Sequence, residues 1–161
     1  MKILVAGVGN VLRGDDGFGI RVVEALAQAD LPAGVDLYEA GIGGIPLVQE
    51  LMNGYDALIA IDAVDKGKAP GTLFILEPVA EKVSATELHQ QMVDAHYADP
   101  AKVLLLARAL KVCPPQVFIV GCQLAYVEDA VETLHPAVAR AVPLAVAEVL
   151  SLIESLTQQS R

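Results

Sequence analysis

Hydrophobic residues along this chain fall into two patterns. Short continuous apolar runs indicate buried strands, and apolar residues spaced three or four apart indicate helices. The strand-like runs are 2–6, 35–39, 57–61, 72–76 and 116–121, and the helix-like stretches are 17–29, 46–53, 100–110 and 138–156. This order predicts an α/β three-layer sandwich in which helices cover both faces of a five-stranded, mostly parallel, twisted sheet.

For the third and fourth strands, the sequence also predicts where they lie in the sheet. The run 57–61 is entirely apolar, so it is expected at the centre of the sheet. The connection from there to 72–76 is too short for a crossover helix, so the fourth strand is expected to be antiparallel or marginal. Neither a linker nor an internal repeat is visible, and residues 1–161 are therefore expected to form a single domain.

Composition narrows the class of protein. The chain has 161 residues, 54% of them hydrophobic, and its net charge of −9 argues against nucleic acid or an anionic membrane as a partner. No apolar run approaches the ~20 residues of a membrane span, and no secretory signal is visible, so a cytoplasmic location is expected. Cys113 and Cys122 form no CxxC motif and are interpreted as small apolar residues.

The segment 7–19 joins the first strand to the first helix and reads Gly-Val-Gly-Asn-Val-Leu-Arg-Gly-Asp-Asp-Gly-Phe-Gly. In an open α/β sheet this junction lies at the carboxyl ends of the strands, where ligands bind. Its glycines allow sharp turns and a close approach of the backbone to a ligand. The adjacent carboxylates of Asp15 and Asp16 are the first indication of chemistry.

Three interpretations of this segment compete. Gly7-x-Gly9 after a strand, with Glu39 further on, is compatible with a dinucleotide site, but Leu12 replaces the third glycine and two acids would repel a pyrophosphate. Alternatively, Asp15 or Asp16 caps the first helix. The third interpretation is a metal-binding or catalytic carboxylate.

Partners for such a carboxylate lie far away in sequence. Asp62 follows the apolar run 57–61, and alternating βα units bring strand ends together, so Asp16 and Asp62 are expected to meet in one cleft unless Asp62 only forms a turn. Asp65 is interpreted as a turn or surface acid.

The histidines supply a third candidate ligand. His96 precedes the helix near residue 100 and would reach the same edge of the sheet, and His89 lies seven residues earlier. His135 precedes the C-terminal helix and is interpreted as structural. Two carboxylates and an imidazole suit a borderline divalent ion such as nickel, zinc or iron.

Two blocks of the sequence resemble a known family, the maturation endopeptidases of nickel-iron hydrogenases. The segment 7–19 resembles the N-terminal signature of that family. Asp62-Ala63-Val64, with Gly67 and 70–72, resembles its second block, and the likeness extends from residue 1 to about 150.

The family pattern also assigns the candidate ligands. It has an acid at the position of Asp16, an aspartate at that of Asp62 and a histidine in a later loop, where His96 matches the spacing better than His89. The chain departs from the pattern at 41–43, which reads Gly-Ile-Gly where the family commonly has Gly-Thr-x-Gly. The histidine loop also lacks the usual Ser-x-His-x-x-Gly form.

The resemblance implies a cytoplasmic, aspartic-type endopeptidase that removes a C-terminal peptide from a hydrogenase large-subunit precursor. It implies that Asp16, Asp62 and His96 are catalytic and bind nickel carried by that precursor, with Asp16 helping to activate water. Neither a Gly-x-Ser-x-Gly elbow nor a His-Glu-x-x-His helix is present in the sequence. The expected partner is the nickel-containing precursor, and the enzyme is expected to be a monomer.

Two other functions remain open on the sequence. One is a nucleotide-binding or dinucleotide-binding α/β module built on the same first strand and helix. The other is an assembly factor that binds the nickel-loaded precursor without cutting it.

Overall fold

The computed structural model describes residues 1–78 and 100–159. The strands are β1 (Ile3–Val8), β2 (Val35–Gly41), β3 (Ala57–Val64), β4 (Leu73–Leu76) and β5 (Gln116–Gln123). The helices are α1 (Phe18–Leu26), α2 (Gly44–Leu51), α3 (Pro100–Ala109) and α4 (Pro136–Gln159), and a 3₁₀ turn at Gly14–Gly17 precedes α1. The predicted order of strands and helices is confirmed.

The five strands form one sheet in the order β2-β1-β3-β5-β4. The neighbours from β2 to β5 are parallel, and β4 runs antiparallel to β5 at the edge. The central position expected for the apolar run 57–61 is therefore confirmed. The fourth strand is both antiparallel and marginal, as its short connection predicts.

Helices cover both faces of the sheet. Successive side chains of a strand point to opposite faces, so Ile3 and Val5 of β1 join α1 and α4 in one core cluster. Leu4 and Ala6 belong to a second cluster with α2 and α3 on the other face. Every residue of β1 is buried because both of its faces are covered. The three-layer sandwich is confirmed.

The C-terminal helix α4 is a core helix. Its buried residues recur every three or four positions and are Val138, Ala141, Ala145, Val149, Ile153 and Leu156. By length and composition alone this helix could cross a membrane, contrary to the expectation that no apolar stretch is long enough. The reason is that apolar residues, among them Ala139, Leu144 and Ala147, also occupy much of its exposed surface. Pro143, where the sequence predicts a kink, lies inside the helix.

Strand β3 is longer than the sequence indicates. It continues past residue 61 to Val64, so Asp62 lies within the strand rather than after it. The extension forms because β5 runs alongside in parallel and pairs Asp62 with Gly121 and Val64 with Gln123. This register places Asp62 one residue beyond the buried part of β3.

Two glycines let α1 start directly against the sheet. A side chain at Gly19 would overlap the carbonyl oxygens of Ile61 in β3 and Val8 in β1. A side chain at Gly7 would overlap the backbone oxygen of Gly19. The first turn of α1 therefore packs backbone against backbone, and the loop between β1 and α1 lies over the ends of both central strands.

Candidate active site

Asp16 and Asp62 line the same cleft at the carboxyl ends of the strands. The chain passes from β1 through α1 to β2 on one side and then through α2 to β3 on the other, so β1 and β3 flank the point where the strand order reverses. Open α/β proteins bind ligands at such points. The cleft has a volume of about 460 Å³, and both carboxylates are half-buried.

Other charged residues line the cleft beside these two acids. Arg13 comes from the loop after β1, and Asp65 and Lys66 come from the turn after β3. These three charged residues lie in or next to the two sequence blocks that resemble the family, so the sequence itself pointed to this part of the chain. Ile42, from the loop after β2, and Pro100, the first residue of α3, provide apolar walls.

The loop after β1 aims the Asp16 carboxylate through a tight turn. Gly9 has a φ of 122°, and a side chain there would overlap the backbone oxygen of Asp16. The backbone N–H of Asn10 donates to Asp16 Oδ2 at 3.1 Å. The side-chain oxygen of Asn10 in turn accepts a hydrogen bond from the N–H of Leu12 at 2.9 Å. Asp16 is therefore held by the loop that contains it.

Asp15 has a structural role, and the interpretation that Asp15 or Asp16 caps the first helix is wrong. Neither α1 nor the preceding 3₁₀ turn has a side-chain cap. Asp15 is instead fully buried, and its Oδ2 accepts hydrogen bonds from the N–H groups of Ala125 and Tyr126 at 2.7 and 3.1 Å. Its Oδ1 accepts from the N–H of His135 at 2.7 Å.

Further bonds join the segment after β5 to the loop after β1. Arg13 Nε donates to Asp129 Oδ1 at 2.6 Å, and the N–H of Gly14 donates to the carbonyl of Val131 at 2.6 Å. The N–H of Val131 donates to the carbonyl of Leu12 at 3.1 Å. Together with the bonds of Asp15, these contacts fix the loop after β1, which forms one wall of the cleft. The partner residues lie more than 100 positions later in the sequence.

Gln123 organises the turn after β3. This side chain is 3% exposed, and its Oε1 accepts from the N–H groups of Lys66 and Lys68 while its Nε2 donates to Asp65 Oδ1. The bond from Gln123, assisted by the N–H of Gly67, lowers the pKa of Asp65 below its ordinary value. Asp65 is thus a turn acid, as predicted. Gln123 is the last residue of β5, and a polar residue that follows an apolar run is the same kind of sequence signal that singles out Asp62.

Of the three histidines, only His135 lies within the described residues. His89 and His96 lie outside the described residues, so the assignment of His96 stays a prediction. His135 is structural, as predicted, because its Nδ1 accepts the N–H of Ala137 at the start of α4 and its ring contacts Tyr126 edge to face. Within 1–78 and 100–159, no group of three or more His, Cys, Asp or Glu side chains forms a metal site.

The cysteines behave as small apolar residues, as predicted. Cys122 is fully buried in the core between the sheet and α4. Burial first, and then the nearby charge of Asp15, raise the pKa of its thiol to about 12. Burial also raises the pKa of Cys113, against a smaller opposing effect of Arg108. Neither thiol is activated as a nucleophile.

Comparisons with known proteins agree with this geometry. A family model described as hydrogenase maturation protease matches residues 20–152. The hydrogenase expression/formation protein HupD of Rhodobacter capsulatus is 38% identical over 148 residues, covering 91% of this chain and 69% of HupD. The hydrogenase 2 maturation protease of Escherichia coli is 38% identical over 122 residues, covering 75% of this chain and 72% of that protease.

A solved structure matches the fold over nearly the whole chain. The hydrogenase maturating endopeptidase HybD from E. coli superposes with a TM-score of 0.77 at 32% identity, covering 96% of this chain and 93% of that one. The fold is that of an α/β protein, and these matches assign it to the peptidase class. The chain belongs to the hydrogenase maturation protease family, and the resemblance noted in the sequence is confirmed.

The adjacent acids are expected to respond differently to removal of their charge. Asp15→Asn places an amide against buried N–H donors and should lower the free energy of unfolding by about 3 kcal/mol. The half-buried Asp16→Asn should lower it by less than about 1 kcal/mol. Urea unfolding followed by circular dichroism measures both values, and equal losses would contradict the separation of their roles.

Cys122 is expected to resist alkylation in the folded protein. A raised thiol pKa favours the neutral thiol, so at pH 8 a pKa of about 12 leaves roughly one thiolate in ten thousand. Iodoacetamide labelling, read by mass spectrometry of peptides, should modify Cys122 at least about a hundred times more slowly than in the urea-unfolded chain. Equal rates in the two states would disprove the burial argument.

Proposed function

We propose that this protein removes the C-terminal peptide from a hydrogenase large-subunit precursor after nickel has been inserted. Membership of the maturation protease family supports the peptidase activity. The relatives are described as maturation proteases or as expression and formation proteins of hydrogenases, which supports a hydrogenase precursor as the substrate. The cleft supports a proposal for how this protein recognises the precursor.

The single observation that carries this proposal is the shared cleft of Asp16 and Asp62. The two residues are 46 positions apart in sequence, yet both half-buried carboxylates line one cavity where the strand order reverses. Carboxylate oxygens with one imidazole form a ligand set that suits nickel. In the proposal, Asp16, Asp62 and His96 contact nickel that the precursor already carries, so the metal belongs to the substrate.

Nickel would act here as a recognition element. Contact between the three side chains and the metal positions the adjacent peptide bond in the cleft, and such positioning contributes several kcal/mol to lowering the barrier. Asp16 then accepts a proton from the attacking water, while the oxygen of that water bonds to the peptide carbonyl carbon. Asp16 then passes this proton to the peptide nitrogen as the carbon–nitrogen bond breaks, so the products are a carboxylic acid, which ionises, and an amine, and the Asp16 carboxylate is restored.

We infer a cytoplasmic, monomeric enzyme that acts as one domain over residues 1–161. Its partner is the nickel-containing precursor, and it binds neither nucleic acid nor a membrane. The net charge of −9 agrees with the absence of a polyanionic partner. The packing of α4 onto the sheet and α1 agrees with a core role for that helix.

The test is incubation of the protein with nickel-loaded and nickel-free precursor, followed by mass spectrometry of the large subunit. Loss of a C-terminal fragment is expected only from the nickel-loaded form. Asp16→Asn, Asp62→Asn and His96→Ala should each slow cleavage at least about a hundredfold while the protein stays folded. His89→Ala is the matched control and should cleave at the wild-type rate.

The alternatives give different results in the same assay. An unchanged mass with nickel-loaded precursor would contradict the proposal and support the assembly factor that binds without cutting. Saturable micromolar binding of NAD or ATP in calorimetry would support the nucleotide-binding module. A fully active triple variant of Asp16, Asp62 and His96 would overturn the assignment of these residues.

A further inference from the structure

A second pocket lies beside the cleft, and the two share a wall. This side pocket, lined by residues 9–12, 20, 39 and 41–42, has a volume of about 410 Å³ and lies where β1 and β2 end. Gly9 and Ile42 line both the side pocket and the cleft that contains Asp16 and Asp62. A peptide bound across the cleft would therefore have the side pocket next to the bond that is cut.

The side pocket differs from the cleft in its chemistry. Its walls include the apolar side chains of Val11, Leu12, Ile20 and Ile42. Leu12 is 51% exposed and Ile42 is 49% exposed, so two large apolar side chains of one pocket face water. Covering these two side chains with another apolar group is favourable, because it removes apolar surface from water.

Hydrogen bonds connect the side pocket to the Asp16 carboxylate. The N–H of Gly9 donates to the carbonyl of Gly41 at 2.9 Å and thereby joins the loop after β1 to the end of β2. The side-chain oxygen of Asn10 accepts a hydrogen bond from the N–H of Leu12. The backbone N–H of Asn10 donates to the carboxylate of Asp16. The apolar walls and the carboxylate are therefore parts of one hydrogen-bonded frame.

We propose that the side pocket binds an apolar side chain of the substrate within two residues of the scissile bond, and that Ile42 determines this specificity. The inference rests on the proposed function. Successive side chains of an extended peptide point to opposite sides, so one of the two residues that follow or precede the cut would face the pocket. The exposed Glu39 at the pocket also disfavours an acidic residue there.

The enzyme arm of the test compares Ile42→Asn with Ile45→Asn. Ile45 is a matched control because it is 48% exposed and lines neither the cleft nor the side pocket. For the nickel-loaded precursor, Ile42→Asn should lower kcat/KM at least about tenfold, mainly by raising KM. Ile45→Asn should stay within about twofold of wild type. Ile42→Ala, which keeps an apolar surface, should give an intermediate loss.

The precursor arm uses the wild-type enzyme and does not depend on the folding of any variant. After mass spectrometry has located the cut, each apolar residue within two positions of it is changed to asparagine. One of these changes should lower kcat/KM at least about tenfold with wild type but less than about threefold with Ile42→Asn, because the two residues contact each other. Independent, multiplicative effects would overturn the inference.

The outcomes separate the two proposals. If the wild-type protein leaves the nickel-loaded precursor uncut, the proposed function fails. If cleavage occurs but Ile42→Asn and Ile45→Asn have equal kcat/KM, the proposed function stands and the specificity pocket is wrong. If no apolar residue near the cut affects cleavage by wild type, the pocket assignment also fails.

Discussion

The buried carboxylate of Asp15 holds the candidate site together. It accepts three backbone hydrogen bonds, all from the segment between β5 and α4, while its own backbone belongs to the loop after β1. A buried negative charge is tolerated only where donors surround it, so the two segments are fixed to one another. Because Asp16 is the next residue, its position depends on the same bonds.

Adjacent residues of one type therefore have opposite environments. Asp15 points inward and is fully buried, whereas Asp16 is half-buried and lines the cleft with Asp62. Close backbone packing at Gly9 and Gly19 keeps the intervening turn tight. The arrangement provides a carboxylate whose loop is fixed by the core but whose side chain lines the cleft.

The sequence predicted the framework well and the supporting contacts poorly. The apolar run 57–61 and the short connection after it were sufficient to predict a central β3 and an antiparallel β4, because these depend on local pattern and length. Parallel topology was sufficient to expect Asp16 and Asp62 in one cleft. The bonds of Asp15 and Gln123 join residues 55 to 120 positions apart, and no local pattern encodes such pairs.

Nickel K-edge X-ray absorption of the precursor, alone and rapidly frozen after mixing with this protein, tests most directly whether the cleft contacts the substrate's metal. The wild-type protein should add oxygen or nitrogen ligands to nickel, and Asp62→Ala should add fewer. An unchanged nickel spectrum under conditions where the precursor is bound and subsequently cut would contradict contact between the cleft and the metal.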